Sequence, residues 1–245
     1  MAMFSLGLGQ SACAVEPDLH AGFDAVLRGA IHDGLVDYEV IRTRREALGA
    51  YTARLADPAH AALSGDAAMA FWLNAYNAWT LALVVDERPR ESIRELDGGK
   101  VWTRRSFTVA GRSVTLDAME HQILRPMGDA RIHAVLNCAS MGCPPMPRTA
   151  APAEGLDGYL EEATRAWAKH NAWRVEGDTL YLSSVFDWFG EDFASKRARP
   201  VTGANDKQAA AVHFLRAYSP ALDKALRNVA TVSWEPWDWA LNRRP

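Results

Sequence analysis

Three cysteines in 245 residues are too few for a disulfide-built scaffold, so the chain must hold itself together through an apolar core. It also lacks any long basic run and carries a formal net charge of −3, which argues against nucleic acid as a partner. No uninterrupted apolar stretch reaches the roughly 18 residues of a membrane span. Internal repeats and low-complexity linkers are missing as well, which argues against a solenoid or a string of modules. What is present is an ordinary globular balance, 49% apolar and 23% charged residues. That balance suits one large α+β domain over residues 18–245.

Residues 1–14 read differently. Lys and Arg do not occur there, the stretch is short and apolar, and Ala12-Cys13-Ala14 resembles a signal-peptidase site. The expectation is the remnant of an export signal and a periplasmic or secreted protein. A disordered tail on a cytoplasmic protein is the alternative. A lipid anchor on Cys13 is the weaker reading, because no Leu stands three residues before it. Export would leave only Cys138 and Cys143, which an oxidising compartment could join as a disulfide.

Along the chain, helical spacing runs from Leu19 to Gly29 and from Glu39 to Ala56, where Asp57-Pro58 ends it. Ser64 opens a helix to about Val85, apolar nearly all round and therefore buried. Asn74 and Asn77 lie inside it on one face. An unpartnered buried amide costs about 1–3 kcal/mol, so both should be bonded, either to tie down neighbouring loops or to line a site. A hairpin follows, Phe107–Val109 and Ser113–Thr115 about an Ala110-Gly111-Arg112 turn. Thr115 caps a helix to Arg125 whose apolar side also carries Glu120, with His121 a quarter turn away. A carboxylate so placed must pair, for instance with Arg131, or change its pKa; the other reading is an orienter for a catalytic histidine. Leu156–Lys169 and Gln208–Tyr218 read as helices, Trp173–Leu182 as a hairpin through Gly177-Asp178, and Thr231–Trp234 as a last strand.

Chemistry concentrates between Arg131 and Pro145, RIHAVLNCASMGCPP. Ile132–Leu136 reads as a strand that breaks at Asn137. Asn137 can cap a short helical turn beginning at Cys138, which would favour a thiolate there. His133 stands five residues upstream as a candidate base. Pro144 denies Cys143 a helix start and makes it the poorer nucleophile. Three readings stay open: a Cys138 nucleophile with His133 and a carboxylate; a zinc site using the cysteines with His133 or His121, at a loose C-x4-C spacing; and a structural cysteine pair.

The blocks AFWLNAYNAWT, LDAMEHQILRP, DARIHAVLNCASMGCPPM and LYLSSVFDWFGEDF, in that order and at that spacing, resemble the domain-of-unknown-function family DUF547. The resemblance implies helices packed on a small antiparallel sheet, with a papain-like or transglutaminase-like Cys–His site. Carried over, it marks Glu120 and His121 as the Glu-His pair, His133, Cys138 and Cys143. Both histidines precede the cysteines, the reverse of the usual thiol-protease order.

The expectation is a cysteine-dependent hydrolase or transferase acting on an amide, peptide or γ-glutamyl bond. Cys138 attacks, His133 is the base and Glu120 its orienter. His121, Cys143, Asn137, Asn74 and Asn77 stand in the second rank, and an acid between Asp187 and Asp192 is the other candidate orienter. No cofactor or metal is expected, the partner is a small-molecule or peptide substrate, and the oligomeric state is open. The alternative is a binding domain with a structural Cys138/Cys143 pair and a groove lined by tryptophans such as Trp234, Trp237 and Trp239.

Overall fold

The computed structural model describes residues 19–245. The expected export signal at residues 1–14 lies outside the described residues. The chain mixes helices with small sheets, the α+β class that its patterning predicts.

The first layer is helical. Helix α1, Ala21–Leu27, buries Phe23, Val26 and Leu27. A two-residue hairpin follows, β1 at Ile31–His32 and β2 at Leu35–Val36. The single helix expected over 39–56 is two, α2 at Tyr38–Thr43 and α3 at Arg45–Arg54. Arg44 separates them: its guanidinium turns back to the carbonyls of Ala25, Val26 and Arg28, closing the C-terminal end of α1.

Helix α4, Gly65–Glu87, is the axis of the fold. By length and composition it could cross a membrane, although polar residues interrupt its apolar run, and nearly all of its apolar window is buried within the protein. Around it packs the larger core, from Phe23 and Ile41 to Ile132 and Leu160. After the short helix α5, Val101–Arg104, strands β3 (Ser106–Val109) and β4 (Arg112–Thr115) pair antiparallel. Their turn is pinned on the end of α3, where Ala110 and Gly111 donate to the carbonyls of Leu55 and Ala56.

Thr115 caps the next helix as expected, its hydroxyl accepting from the Ala118 amide. That helix, α6, keeps α-helical geometry only over Leu116–Ala118 and widens to a π-helical turn at Met119–Leu124. Such turns offset the side chains they carry and are frequent at functional sites; this one carries Glu120 and His121.

A second, smaller core gathers Trp167, Phe186, Phe193 and Leu215. It is built by α7 (Leu156–His170), the hairpin β5 (Trp173–Glu176) and β6 (Thr179–Leu182), α8 (Val185–Trp188), α9 (Asp206–Arg216), α10 (Pro220–Ala225) and β7 (Thr231–Trp234). Strand β7 runs parallel to β6, so this sheet is mixed rather than the antiparallel one expected. Long-range return makes the difference: α9 and α10 intervene before β7, and Gln208 at the start of α9 donates its side-chain amide to the Val232 carbonyl.

Candidate active site

The segment between the two cores is not a strand. Ala130–Ala134 is a single 3-10 turn, capped by the Asp129 side chain on the Arg131 amide. This overturns the expected strand over Ile132–Leu136, and the reason is packing from two sides. The turn sends Ile132 and Val135 into the larger core and Ala134 into the smaller one. His133, 3% exposed, is wedged against Phe189 and Phe193 at ring separations of 4.3 and 5.5 Å.

Residues 137–143 then form an irregular loop held almost wholly by amides. Asn77 brackets its entrance: Nδ2 donates to the Val135 carbonyl at 2.9 Å, and Oδ1 accepts from the Asn137 amide at 3.0 Å. Asn74 does the same for a second loop, donating to and accepting from Ala151, each at 2.8 Å. Asn137 donates to the Pro144 carbonyl and accepts from the Ala139 amide and from Asn242 Nδ2, whose own Oδ1 accepts from the Tyr38 hydroxyl. The expected helix at Cys138 does not form. Asn137 caps only the Ala139 amide, and Ala139 enters the left-handed region at φ 64°.

The C-terminal segment closes the loop. Met141 and Gly142 donate to the carbonyls of Ala240 and Asp238, and Asn242 donates to the Ala139 carbonyl. Gly142 is dictated by contact, since a Cβ there would stand 2.6 Å from the Trp237 ring.

Within this frame Cys138 and Cys143 are free thiols. The Cys143 sulfur, on a residue 5% exposed, accepts from the Cys138 amide at 3.0 Å. The Ser140 hydroxyl lies between the sulfurs, 3.1 Å from Cys138 Sγ and 3.3 Å from Cys143 Sγ, and itself accepts from Trp237 Nε1 at 3.0 Å. Burial works against a Cys143 thiolate, but bonds from the Cys138 thiol, the Ser140 hydroxyl and the loop amides outweigh it and lower its pKa. Donating to that thiolate, being buried and facing its charge all push Cys138 well above the ordinary thiol range. Of the two sulfurs, Cys143 is therefore the one that gives up its proton more readily, whereas sequence reasoning ranked Cys138 first. Sequence could not show that Cys143 folds back onto the amide it would need.

Glu120 faces the same cleft with a side chain 14% exposed. Burial and the Cys143 charge raise its pKa to about 7, although Arg125 and a hydrogen bond with Tyr76 oppose the shift. Its expected ion pair with Arg131 is absent, because Arg131 is engaged by Asp129, Asp157 and Glu161. His133 presents Nε2 to Asp192 Oδ2 at 2.8 Å and Nδ1 to Glu120 Oε1 at 3.9 Å. Burial lowers the His133 pKa despite Asp192. The neutral ring then carries its proton on Nε2, donated to Asp192, and turns the Nδ1 lone pair toward Glu120. Burial disfavours charge on Asp192, but hydrogen bonds from His133 and from Arg125, at 2.7 and 2.9 Å, hold it well below the usual carboxylate range. Of the acids offered by the 187–192 segment, Asp192 is the one at the site, while Asp187 pairs with Lys207. His121 stands at the rim, its Nδ1 2.9 Å from Arg125 Nη1 and its Nε2 3.7 Å from Asp117.

Tyr76, Glu120, His121, His133, Cys138 and Cys143 line one cleft of about 300 Å³. Trp102, Trp188, Trp237 and Trp239 form its aromatic wall. Trp188, 50% exposed, packs 4.7 Å from Trp237, and Trp102 lies 5.7 Å from Trp239. Trp234, the third tryptophan offered as a groove residue, packs against the smaller core. Among the described residues no group of three or more His, Cys, Asp or Glu side chains is arranged to hold a metal ion. Sequence reasoning missed Ser140, Tyr76, Trp102, Trp188 and Asn242. Only Ser140, lying between the two cysteines, carried a local signal.

No curated protein and no solved structure matches this chain. Residues 60–167, which hold Glu120, His133 and both thiols but not Asp192, match the family model described as "Protein of unknown function, DUF547", the family that the four sequence blocks resemble.

Proposed function

We propose that the protein is a cysteine-dependent hydrolase or transferase acting on an amide or related acyl bond. The observation that carries this reading is geometric: Cys143, whose sulfur accepts from the Cys138 amide and touches the Ser140 hydroxyl, shares one cleft with the buried carboxyl of Glu120 and with His133. A nucleophile and a proton carrier tuned to neutral pH are what acyl transfer requires.

In this scheme Cys143 Sγ attacks the carbonyl carbon and Glu120, as the acid, protonates the leaving amine as the tetrahedral intermediate collapses. An acyl thioester on Cys143 remains. Glu120, now a carboxylate, takes a proton from water or an acceptor amine that attacks the thioester, and the Cys143 thiolate is restored. His133 is a positioning residue: held by Asp192, it stands with Nδ1 3.9 Å from the Glu120 carboxyl. The Cys138 amide donates to the Cys143 sulfur. The aromatic wall supplies apolar surface for the substrate, in keeping with a small-molecule or peptide ligand.

The test is acyl trapping. The full chain is exposed to thioester and activated-ester probes, quenched in acid, and mapped by peptide mass spectrometry. The expected result is an acyl group on Cys143. Acylation of neither Cys138 nor Cys143 sinks the reading, and acylation of Cys138 alone returns the nucleophile to the residue that sequence ranked first.

A further inference from the structure

Acyl transfer needs one sulfur, and this cleft holds two. Both are reduced, both open on the same cleft, and each is in hydrogen-bond contact with the Ser140 hydroxyl. The loop between them is folded back: the Cys143 amide donates to the Ser140 carbonyl at 3.1 Å, and the Cys143 sulfur sits on the Cys138 amide at 3.0 Å. Joining the sulfurs therefore calls for a side-chain rotation inside an existing turn rather than a separation of packed elements. The frame around that turn is made by Asn77, Asn137 and the 238–242 segment, none of which has to move.

We infer that Cys138 and Cys143 are a thiol–disulfide exchange pair that reduces small organic disulfides entering the tryptophan-walled cleft. Cys143 Sγ attacks one sulfur of R–S–S–R; the Cys143–S–S–R bond forms, the R–S bond to the second sulfur breaks, and R–S⁻ leaves and takes a proton. The Cys138 thiol then gives its proton to water, and its sulfur attacks Cys143 Sγ. The Cys138–Cys143 bond forms and the second R–S⁻ leaves, also to be protonated. Two protein thiols are oxidised by two electrons and one disulfide is reduced to two thiols. A small dithiol runs the pair back to its reduced form by the reverse exchange. The order follows the geometry of the pair: the sulfur that accepts from the Cys138 amide and touches the Ser140 hydroxyl attacks, and its neighbour resolves.

This activity goes beyond acyl transfer and is read on sulfur alone, so either can fail without the other. The reduced full chain is mixed with bis(2-hydroxyethyl) disulfide, quenched with acid at intervals, and mapped by peptide mass spectrometry, which separates the pair from Cys13. The expected course is a mixed disulfide on Cys143, formed about tenfold faster than on Cys13. It then gives way to a Cys138–Cys143 disulfide two hydrogens lighter than the reduced pair. Dithiothreitol restores the thiols. Cys138→Ser is expected to stop at the mixed disulfide; if that variant fails to fold, the order of species in the natural chain carries the result by itself. A mixed disulfide that persists in the natural chain, a first adduct on Cys138, or two thiols that stay reduced while Cys13 reacts would each overturn the inference.

Discussion

The loop from Val135 to Pro144 has two sides, and they treat polar groups in opposite ways. On the amide side each donor meets an acceptor once. Asn77 closes on Val135 and Asn137, Asn137 on Ala139, Pro144 and Asn242, and Asn242 on Tyr38. None of these side chains changes protonation near neutral pH, so the network has one arrangement. On the thiol side there are more acceptors than protons. Two sulfurs share one hydroxyl, and a carboxyl near pKa 7 faces both a thiolate and a histidine lone pair. The contrast separates holding from reacting: satisfied groups without titration fix geometry, and groups that compete for a proton can move one.

Substitutions on the two sides should therefore fail differently. Cys143→Ser is expected to have the largest effect, a loss of at least about a thousand-fold in acyl-transfer rate, with an unfolding midpoint close to that of the natural chain. Asn77→Ala should show the reverse signature. It orphans the Val135 carbonyl and the Asn137 amide together, at about 1–3 kcal/mol each, so urea unfolding should reveal a loss of roughly 2–5 kcal/mol. If Asn77→Ala left stability intact and removed only activity, the division of the loop into a holding side and a reacting side would be wrong.

On the amide side Asn77, with its neighbour Asn74, was legible in the sequence because it rests on a local rule, whereas Asn242 and Tyr38 join from distant segments. Two asparagines three apart on a buried helix must find partners, and a loop is the usual source. For the same reason α4, the two hairpins, β7 and the Thr115 cap appear where periodicity and capping put them. The thiol side was legible only as a membership list. Glu120, His133, Cys138 and Cys143 do meet in one cleft. Their roles depend on contacts no spacing encodes: a 3-10 turn where alternation suggested a strand, Cys143 curling onto the Cys138 amide, and Asp192 reaching His133 from 59 positions away. The tryptophan wall was half visible. Trp237 and Trp239 were marked by clustering, whereas Trp102 and Trp188 arrive from distant elements.

Glu120 is where the two behaviours meet, and it gives the finest test. Its folded pKa of about 7 stands above the ordinary carboxyl value near 4.3, so between those pH values the folded chain holds a proton that the unfolded chain has lost. Stability should therefore be greatest at the acid end of that window and fall as pH rises toward 7, by up to roughly 3 kcal/mol, then level off. Glu120→Gln replaces the carboxyl with a neutral side chain of the same shape and removes the titration. The variant should match the natural chain near pH 4.5 and exceed it in stability at pH 8, while losing the acid that acyl transfer calls on. Cys143→Ser should shrink the same slope, because the Cys143 charge is the second cause of the Glu120 shift after burial. Urea unfolding of the three proteins between pH 4.5 and 8.5 reads all of this directly. A stability difference between Glu120→Gln and the natural chain that does not vary with pH would mean that Glu120 is an ordinary ionised carboxylate and belongs with the amides that hold the loop.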